Sequence, residues 1–252
     1  LCERLDHLDM ARAARTPTHA HALRAPDRDA SPDFDVAIAG GGLSLLLAPL
    51  LADRGLRVAV FDRARVGQGH REWNAGRREI EALAAAGLFS PGEIEALIVA
   101  RYARGICRWH GGGTYPVTGV LDHAVDAGAL LAATRALAEQ GGVAIFDDHA
   151  LLGHAAGEGP VGLCFEAGRR DGAPRERTLS ARLLVDARGA ASPSATADLI
   201  CPTVGGVLSG LEEGDGDDQI QPEIGEILAT TEGVDHNVQH IWEAFPGRPG
   251  EV

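Results

Sequence analysis

The clearest pattern in the sequence is a short apolar run that leads directly into three glycines. Residues 35–39 (Asp-Val-Ala-Ile-Ala) precede Gly-Gly-Gly at 40–42, a Leu/Ala-rich segment then reaches Asp53, and a second apolar run follows at 58–61. A strand, a tight turn, a helix and a second strand fit within these positions, as in one βαβ unit. The pattern therefore predicts a parallel sheet, with the glycine turn at the carboxyl edge of its strands.

The mixture of helices and strands continues to about residue 200 and then changes. Apolar spacing and capping residues predict helices at 77–86, from the Ser90 cap to about 102, and at 129–140. Strands are predicted at 143–146, 161–165 and 183–186, and after residue 202 only strands are predicted, at 204–209, 227–231 and 239–245. We therefore expect an α/β fold with a flexible segment over 1–32, a domain with a parallel central sheet over 33–200, and the start of a β-rich substrate domain over 201–252.

Composition narrows the range of functions. All 23 basic residues are arginine and 36 residues are acidic, which gives a formal net charge of −13. Without lysine there is no P-loop lysine, no Schiff-base lysine and no lysine-rich phosphate patch, so we expect no nucleic-acid partner. The four cysteines are scattered without a Cys-x-x-Cys pair, which predicts neither a metal site nor a disulfide framework.

No apolar stretch in the sequence reaches the roughly 18 residues of a membrane helix. We therefore expect a cytoplasmic protein without a transmembrane segment, with peripheral membrane contact by a full-length form as the alternative. The sequence begins at Leu1 and has its only methionine at position 10, so we expect the chain to be a piece of a longer protein.

The first residues that indicate chemistry belong to the glycine turn. Backbone N–H groups at 40–42 can approach a pyrophosphate at the positive end of the following helix, because no Cβ stands in the way. Asp62 ends the second predicted strand, 22 positions after Gly40, where a carboxylate can accept hydrogen bonds from a ribose diol. Leu45 occupies the third glycine position and Pro49 interrupts the helix, so the alternative is an α/β domain whose glycine turn binds nothing.

A second turn follows the apolar strand at 183–186. The residues Asp-Ala-Arg-Gly at 186–189 turn the chain at Gly189, and this turn is expected at the same sheet edge as the first. Two turns at one edge would hold a single dinucleotide along its length, whereas a simple nicotinamide enzyme needs only the first. The arrangement therefore favours FAD over NAD.

These motifs resemble the FAD-binding domain of glutathione-reductase-type flavoproteins, a group that includes aromatic hydroxylases, flavin halogenases, geranylgeranyl reductases and lycopene cyclases. The resemblance covers residues 34 to about 192 and implies a Rossmann-like FAD/NAD(P)-binding fold. A narrower resemblance to bacterial lycopene cyclases rests on Arg-Glu-Trp-Asn-Ala-Gly-Arg-Arg-Glu at 71–79, Cys-Pro-Thr-Val-Gly-Gly at 201–206, Gly-Glu-Ile-Leu at 225–228 and Ile-Trp-Glu-Ala-Phe-Pro at 241–246.

The resemblance implies cofactor-binding positions in the two turns and beside them: Gly40, Gly41, Gly42, Asp62, Arg63, Arg71, Leu151, Asp186, Arg188 and Gly189. The glycines would line the pyrophosphate, and Asp62 would hold the adenosine ribose with Arg63 beside it. The backbone near Leu151 would contact the adenine edge. Arg71 would contact the cofactor phosphates or the isoalloxazine ring, and the alternative is a surface salt bridge with Glu72 or Glu79.

The resemblance leaves three functions open. The first is a lycopene-cyclase-like flavoprotein, in which reduced flavin stabilises a carbocation while an acid protonates an apolar polyene such as a carotenoid. The second is an FAD-dependent redox enzyme, namely a monooxygenase, halogenase or prenyl reductase, with NAD(P)H as the reductant. The third is a dinucleotide-binding module without activity.

Glu243 is the candidate catalytic acid, because it interrupts an apolar run beside Trp242 and Phe245. An acid in this role needs an apolar pocket. The alternative is that Glu243 alternates outward to solvent, as the two-residue period of a strand allows. A third flavin contact of this group, a Gly-Asp turn followed by a helix, has no match before Val252, so we expect weak FAD retention and an open sheet edge prone to aggregation.

Overall fold

The computed structural model describes residues 23–69, 73–168, 175–196, 203–216 and 219–252. The chain forms two compact units. The first comprises Leu1–Val66 and Leu137–Ala195, and the second comprises Gly67–Ala136 and Thr196–Val252. The domain boundaries expected near residues 32 and 200 stay predictions.

Helices and strands are mixed as far as residue 140, and strands dominate afterwards. In chain order the strands are β1 (Phe34–Ala39), β2 (Val58–Phe61), β3 (Trp73–Ala75), β4 (Ile98–Arg101), β5 (Arg104–Arg108), β6 (Thr114–Val117), β7 (His123–Val125), β8 (Ala144–Phe146), β9 (His149–Ala155), β10 (Val161–Ala167), β11 (Arg175–Asp186), β12 (Ile224–Ala229) and β13 (Trp242–Ala244). The helices are α1 (Leu47–Asp53), α2 (Arg77–Ala85), α3 (Pro91–Leu97) and α4 (Ala127–Gln140), with short 3-10 turns at Leu43–Leu46 and Gly189–Ala191. Among the residues that the structure describes, no helix is both long and apolar enough to cross a membrane.

The first unit is built on a six-stranded sheet in the order β8-β2-β1-β11-β10-β9. The strands β8, β2, β1 and β11 run parallel, and β10 and β9 continue the sheet in antiparallel pairing. The long strand β11 joins the two parts, because its end pairs with β1 while its beginning pairs with β10. The α/β fold class with a parallel central sheet, expected from the sequence, is confirmed.

Small side chains and stacked rings form the core of this unit. Ala37, Ala39 and Ala59 are almost completely buried and leave room for two aromatic rings. Phe61 of β2 and Phe165 of β10 stack with their ring centroids 4.0 Å apart. Burial of each ring contributes about 1.5–3 kcal/mol, and a stacked pair adds about 0.5–1.5 kcal/mol. This stack ties the antiparallel strands to the parallel ones.

The second unit contains two smaller sheets, in the orders β13-β12-β5-β6 and β3-β7-β4. Tyr102, which lies between β4 and β5, packs its ring 5.8 Å from that of Phe245 and donates its buried hydroxyl to the Pro246 carbonyl at 2.5 Å. A Cβ at Gly225 would come within 3.1 Å of both rings. The residues that follow β13 are therefore attached to the connection between β4 and β5.

Residues 98–101 and 204–209 are two of the segments that differ from the sequence prediction. The helix expected to continue to about 102 ends at Leu97, because Ile98 and Val99 begin β4 and β-branched side chains favour extended backbone. Residues 204–209, expected to form a strand, have no regular structure apart from an isolated bridge at Ser209. The apolar residues of this segment are exposed, so the hydrophobic pattern there does not mark a face packed against a sheet.

Candidate functional site

Two turns meet at the carboxyl edge of the parallel strands. The last residues of β1 and β11 are neighbours in register, Ala39 against Asp186, and Ala187 donates its N–H to the Ala39 carbonyl at 2.8 Å. Gly40 has a φ of +117°, and a Cβ there would lie 2.5 Å from the Ala187 carbonyl oxygen. The expected placement of both turns at one sheet edge is confirmed, and the close approach requires glycine at position 40.

The three glycines of the first turn have different surroundings. A Cβ at Gly41 would lie 2.8 Å from the Cα of Val66, so packing within the fold requires glycine there as well. A Cβ at Gly42 would meet no atom within 4 Å. Gly42 also precedes the 3-10 turn Leu43–Leu46 without a side-chain cap. Since the first N–H groups of a helix have no acceptor within it, the donors beside Gly42 are available to an anion.

The start of the helix accommodates the two departures from the glycine motif. Residues 43–46 form a 3-10 turn, and α1 begins only at Leu47. Pro49 therefore lies in the first turn of α1, where a backbone N–H would have no acceptor within the helix. Leu45 is fully buried, and the Ser44 hydroxyl donates to the Gly40 carbonyl at 2.6 Å. Neither residue blocks the open position beside the turn.

Asp62 lies at the end of β2, next to the first turn. One carboxylate oxygen accepts the Gly41 N–H at 2.7 Å, and the other accepts the Ala64 N–H at 2.8 Å. Each oxygen can accept a further hydrogen bond, so the half-buried carboxylate keeps capacity for a pair of hydroxyls. The neighbouring Arg63 is exposed.

A charged network holds the second turn. Arg188 donates from Nε and Nη2 to the two oxygens of Asp186, at 2.8 and 2.7 Å, and from Nη1 to the Leu151 carbonyl at 3.1 Å. Ser192 donates its hydroxyl to Asp186 at 2.7 Å, and Gly189 turns the chain with a φ of +57°. The Arg188 fork, above all, holds the pKa of Asp186 well below its usual range. Arg188 and the Leu151 carbonyl, both expected to contact the cofactor, are thus bonded to each other.

Residues after β8 support the site and were not predicted. Asp147 accepts the Val66 N–H at 2.7 Å, and His149 donates its backbone N–H to the Asp62 carbonyl at 2.7 Å. The His149 ring lies 5.3 Å from that of Phe146. The sequence signal was Asp-Asp-His directly after the predicted strand, because polar residues that follow parallel strands gather at one sheet edge.

Comparison with known proteins found solved structures that are similar to this chain. The chain matches no protein-family model and no curated protein. The myxobacterial chondrochloren halogenase CndH, a variant of FAD-dependent halogenases, is 20% identical over 64% of this chain and 38% of that chain, with a TM-score of 0.52. The p-nitrophenol 4-monooxygenase PnpA from Pseudomonas putida DLL-E4 is 17% identical over 63% of this chain and 42% of that chain, with a TM-score of 0.51. A flavoprotein/dehydrogenase from Cytophaga hutchinsonii is 17% identical over 62% of this chain and 39% of that chain, with a TM-score of 0.50.

This chain shares the fold of these flavoproteins. The identities are low, so the likeness establishes the fold, and the expected FAD/NAD(P)-binding type of α/β domain is confirmed. The part of each flavoprotein that matches is about two fifths of its length. The narrower resemblance to lycopene cyclases gains no support from these three structures.

Two further residues were expected in the site from the sequence, Arg71 and Glu243. Arg71 lies outside the described residues, so its role stays a prediction. Glu243 is in β13 of the second unit, and its side chain is exposed. An exposed carboxylate is not in the apolar pocket that the acid role requires, and the position agrees with the alternative that Glu243 faces solvent.

Proposed function

We propose that this chain binds FAD through its first unit and forms the cofactor-binding part of an FAD-dependent redox enzyme of the monooxygenase or halogenase type. The observation that carries the proposal is the meeting of two glycine turns at the ends of β1 and β11, with the Asp62 carboxylate fixed at the end of β2. Open α/β sheets bind ligands at this edge. The flavoproteins that share the fold include a halogenase and a monooxygenase.

The residues at this edge fit the adenosine diphosphate half of FAD. The open position at Gly42 gives room for a pyrophosphate, and the N–H groups beside it carry the partial positive charge of a helix start. Asp62 offers acceptors for the two ribose hydroxyls while two backbone N–H groups keep it in place. These donors and acceptors support a site for the phosphates and the ribose at this edge.

FAD, when bound, supplies hydride or activated-oxygen chemistry, with NAD(P)H as the reductant. The role of this chain in that chemistry is to bind and orient the cofactor. The first turn holds the phosphates, Asp62 holds the adenosine ribose, and the second turn borders the cofactor beside them. The substrate that we propose is an apolar small molecule.

A lycopene-cyclase-like activity on a carotenoid is the second candidate. Two of the segments on which that resemblance rests, 225–228 and 241–246, contribute to β12 and β13, which pair as antiparallel neighbours. Their adjacency favours a shared role. The redox candidate is preferred, because Glu243 is exposed and does not supply the buried acid that cyclisation needs.

Titration of the purified 252-residue chain with FAD, followed by the quenching of flavin fluorescence, tests the binding step. We expect weak but saturable binding of one FAD per chain. Asp62→Asn should weaken it about tenfold, because hydrogen bonds to a charged acceptor exceed those to a neutral one by about 1 kcal/mol. Asp35→Asn is the matched control, since Asp35 lies near the other end of β1 in a partly exposed ion pair with Arg57. A wild-type chain without saturable binding would refute the proposal.

Turnover by a longer, flavin-loaded form distinguishes the candidates. Consumption of NAD(P)H that depends on an organic substrate supports the redox enzyme. Ring formation in a lycopene-producing host supports the cyclase. A flavin-loaded protein that does neither would be a binding module without activity.

A further inference from the structure

The Arg188 side chain is mostly buried in the protein, although it lies beside the proposed site of an anionic cofactor. Its side chain is 16% exposed, and that of its partner Asp186 is 22% exposed. Of the five N–H donors of a guanidinium, two form a parallel fork with Asp186 and a third reaches the Leu151 carbonyl. The positive charge of Arg188 is therefore balanced by a carboxylate of the same turn.

The acceptor for the third donor lies at an irregular place in β9. The pairing of β9 with β10 shifts by one residue between Cys164 and Phe165, which leaves Leu152 as the extra residue of a β-bulge. A bulge interrupts the hydrogen-bond ladder locally. The adjacent Leu151 carbonyl accepts from Arg188, and the side chain thereby links the end of β11 to β9.

Asp186 accepts hydrogen bonds from both ends of the second turn. Besides the guanidinium, it accepts the backbone N–H of Arg188 at 3.3 Å and the hydroxyl of Ser192 at 2.7 Å. Ser192 in turn accepts the N–H of Ser194 at 3.2 Å. One carboxylate thus fixes the chain on both sides of Gly189.

The position of the second turn affects the first turn through the backbone. The N–H of Ala187 donates a hydrogen bond to the Ala39 carbonyl at 2.8 Å. The Ala187 carbonyl oxygen occupies the space that a Cβ at Gly40 would need. A shift of Ala187 would therefore move the surface against which Gly40 turns.

We propose that Arg188 is a positioning residue: it holds the second turn against the first and thereby shapes the phosphate site without contacting FAD. This inference rests on the proposed function. It replaces the expectation from the sequence, in which Arg188 lies against the cofactor.

Variants of Arg188 test this role. Arg188→Gln removes the fork, and Arg188→Lys keeps the charge but cannot bond both oxygens in parallel. Arg182→Gln is the matched control, because Arg182 lies on the same strand with its side chain 72% exposed, in an ion pair with Asp35. We expect Arg188→Gln to raise the Kd for FAD about tenfold or more, Arg188→Lys to have a smaller effect, and Arg182→Gln to bind as the wild type does.

The salt dependence of FAD affinity separates positioning from direct contact. An arginine that bound a phosphate would contribute to the loss of affinity with salt, so its removal would flatten that dependence. Because Arg188→Gln alone leaves the charge of Asp186 unbalanced, the salt series combines it with Asp186→Asn. A positioning role predicts that this double variant has a lower affinity and the salt dependence of the wild type. A flattened dependence would overturn the inference.

Amide hydrogen exchange on the flavin-free protein gives a test that does not depend on the cofactor. The amides of Gly40 and Ala187 should exchange faster in Arg188→Gln than in Arg182→Gln. Should Arg188→Gln fail to fold, Ser192→Ala removes one hydrogen bond of the network and should give the same change with smaller amplitude. Wild-type exchange together with wild-type FAD affinity in these variants would overturn the positioning role, whereas a wild-type chain that binds no FAD would overturn the proposed function.

Discussion

A single methyl group added at each glycine of the first turn should separate the positions that the fold requires from the position left for a ligand. The three changes are Gly40→Ala, Gly41→Ala and Gly42→Ala. They alter the same segment by the same atom, so each serves as a control for the other two. The expected outcomes differ because the three surroundings differ.

The effect on stability should be large at the first two positions. At Gly40 an alanine would adopt a φ of +117° and meet a backbone oxygen at 2.5 Å. Strained backbone of this kind costs about 1–3 kcal/mol, and the clash adds to it. At Gly41 the new methyl would lie 2.8 Å from the Cα of Val66, and overpacking costs about 1–3 kcal/mol. At Gly42 nothing lies within 4 Å, so the new methyl meets no clash and the free energy of unfolding should fall less than at the other two positions.

Thermal unfolding and FAD titration on the same preparations measure both effects. For a chain of this size 1 kcal/mol corresponds to a Tm shift of about 2–4 °C. We therefore expect Gly40→Ala and Gly41→Ala to lower Tm by several degrees. Gly42→Ala should lower Tm less than the other two changes do and raise the Kd for FAD about tenfold, because its methyl occupies the space proposed for the pyrophosphate.

Two outcomes would refute this reasoning. If Gly42→Ala binds FAD as tightly as the wild type, the pyrophosphate does not lie against Gly42. If Gly40→Ala unfolds at the wild-type temperature, the Ala187 carbonyl oxygen does not lie close enough to Gly40 to exclude a Cβ there.

Three further predictions follow from other contacts. The hydrogen bonds from Arg188, above all, hold the pKa of Asp186 below its usual range. The contribution of Asp186 to stability is therefore complete above the ordinary carboxyl pKa of about 4 and is lost as the pH falls below that value. Melts followed by circular dichroism should show this fall in Tm at acidic pH, and Arg188→Gln should make the fall smaller. Tyr102→Phe should lower the free energy of unfolding by about 1–3 kcal/mol, measured in urea, because the Pro246 carbonyl loses a buried donor. FAD affinity should fall by less than about tenfold between low and high salt, and a steeper fall would indicate that an exposed side chain such as Arg63 carries the phosphates.

The parts of the site that were predicted from the sequence depend on local order along the chain. Gly40 and Asp62 fall at the ends of consecutive parallel strands, and the parallel sheet alone brings such ends together. The second turn follows the same rule, since Asp186 ends a strand that pairs with β1. A pattern of apolar runs that end in glycine or aspartate is therefore enough to place these residues at one edge.

The parts that were not predicted depend on contacts between distant segments. The hydrogen bond from Arg188 to the Leu151 carbonyl joins β11 to β9 beside a register shift, and no local pattern reveals either feature. The role of Asp147 likewise depends on its meeting the N–H of Val66, 81 positions earlier. The family resemblance placed Arg188 near the cofactor and did not reveal that its guanidinium donates hydrogen bonds within the protein.

The same contacts bear on how an acidic chain without lysine would hold the anionic cofactor that we propose. Arg188 is paired with Asp186, so its charge is balanced before any phosphate arrives. Asp62 is also satisfied by backbone N–H groups and needs no cation beside it. Neutralisation of a bound pyrophosphate would then fall to the N–H groups beside Gly42, which would act at contact distance. The net charge of −13 acts over longer distances and is screened beyond about 8–10 Å. Affinity for the cofactor therefore depends on the geometry of the turn more than on the charge of the chain, and that is why a residue that only positions the turn should matter.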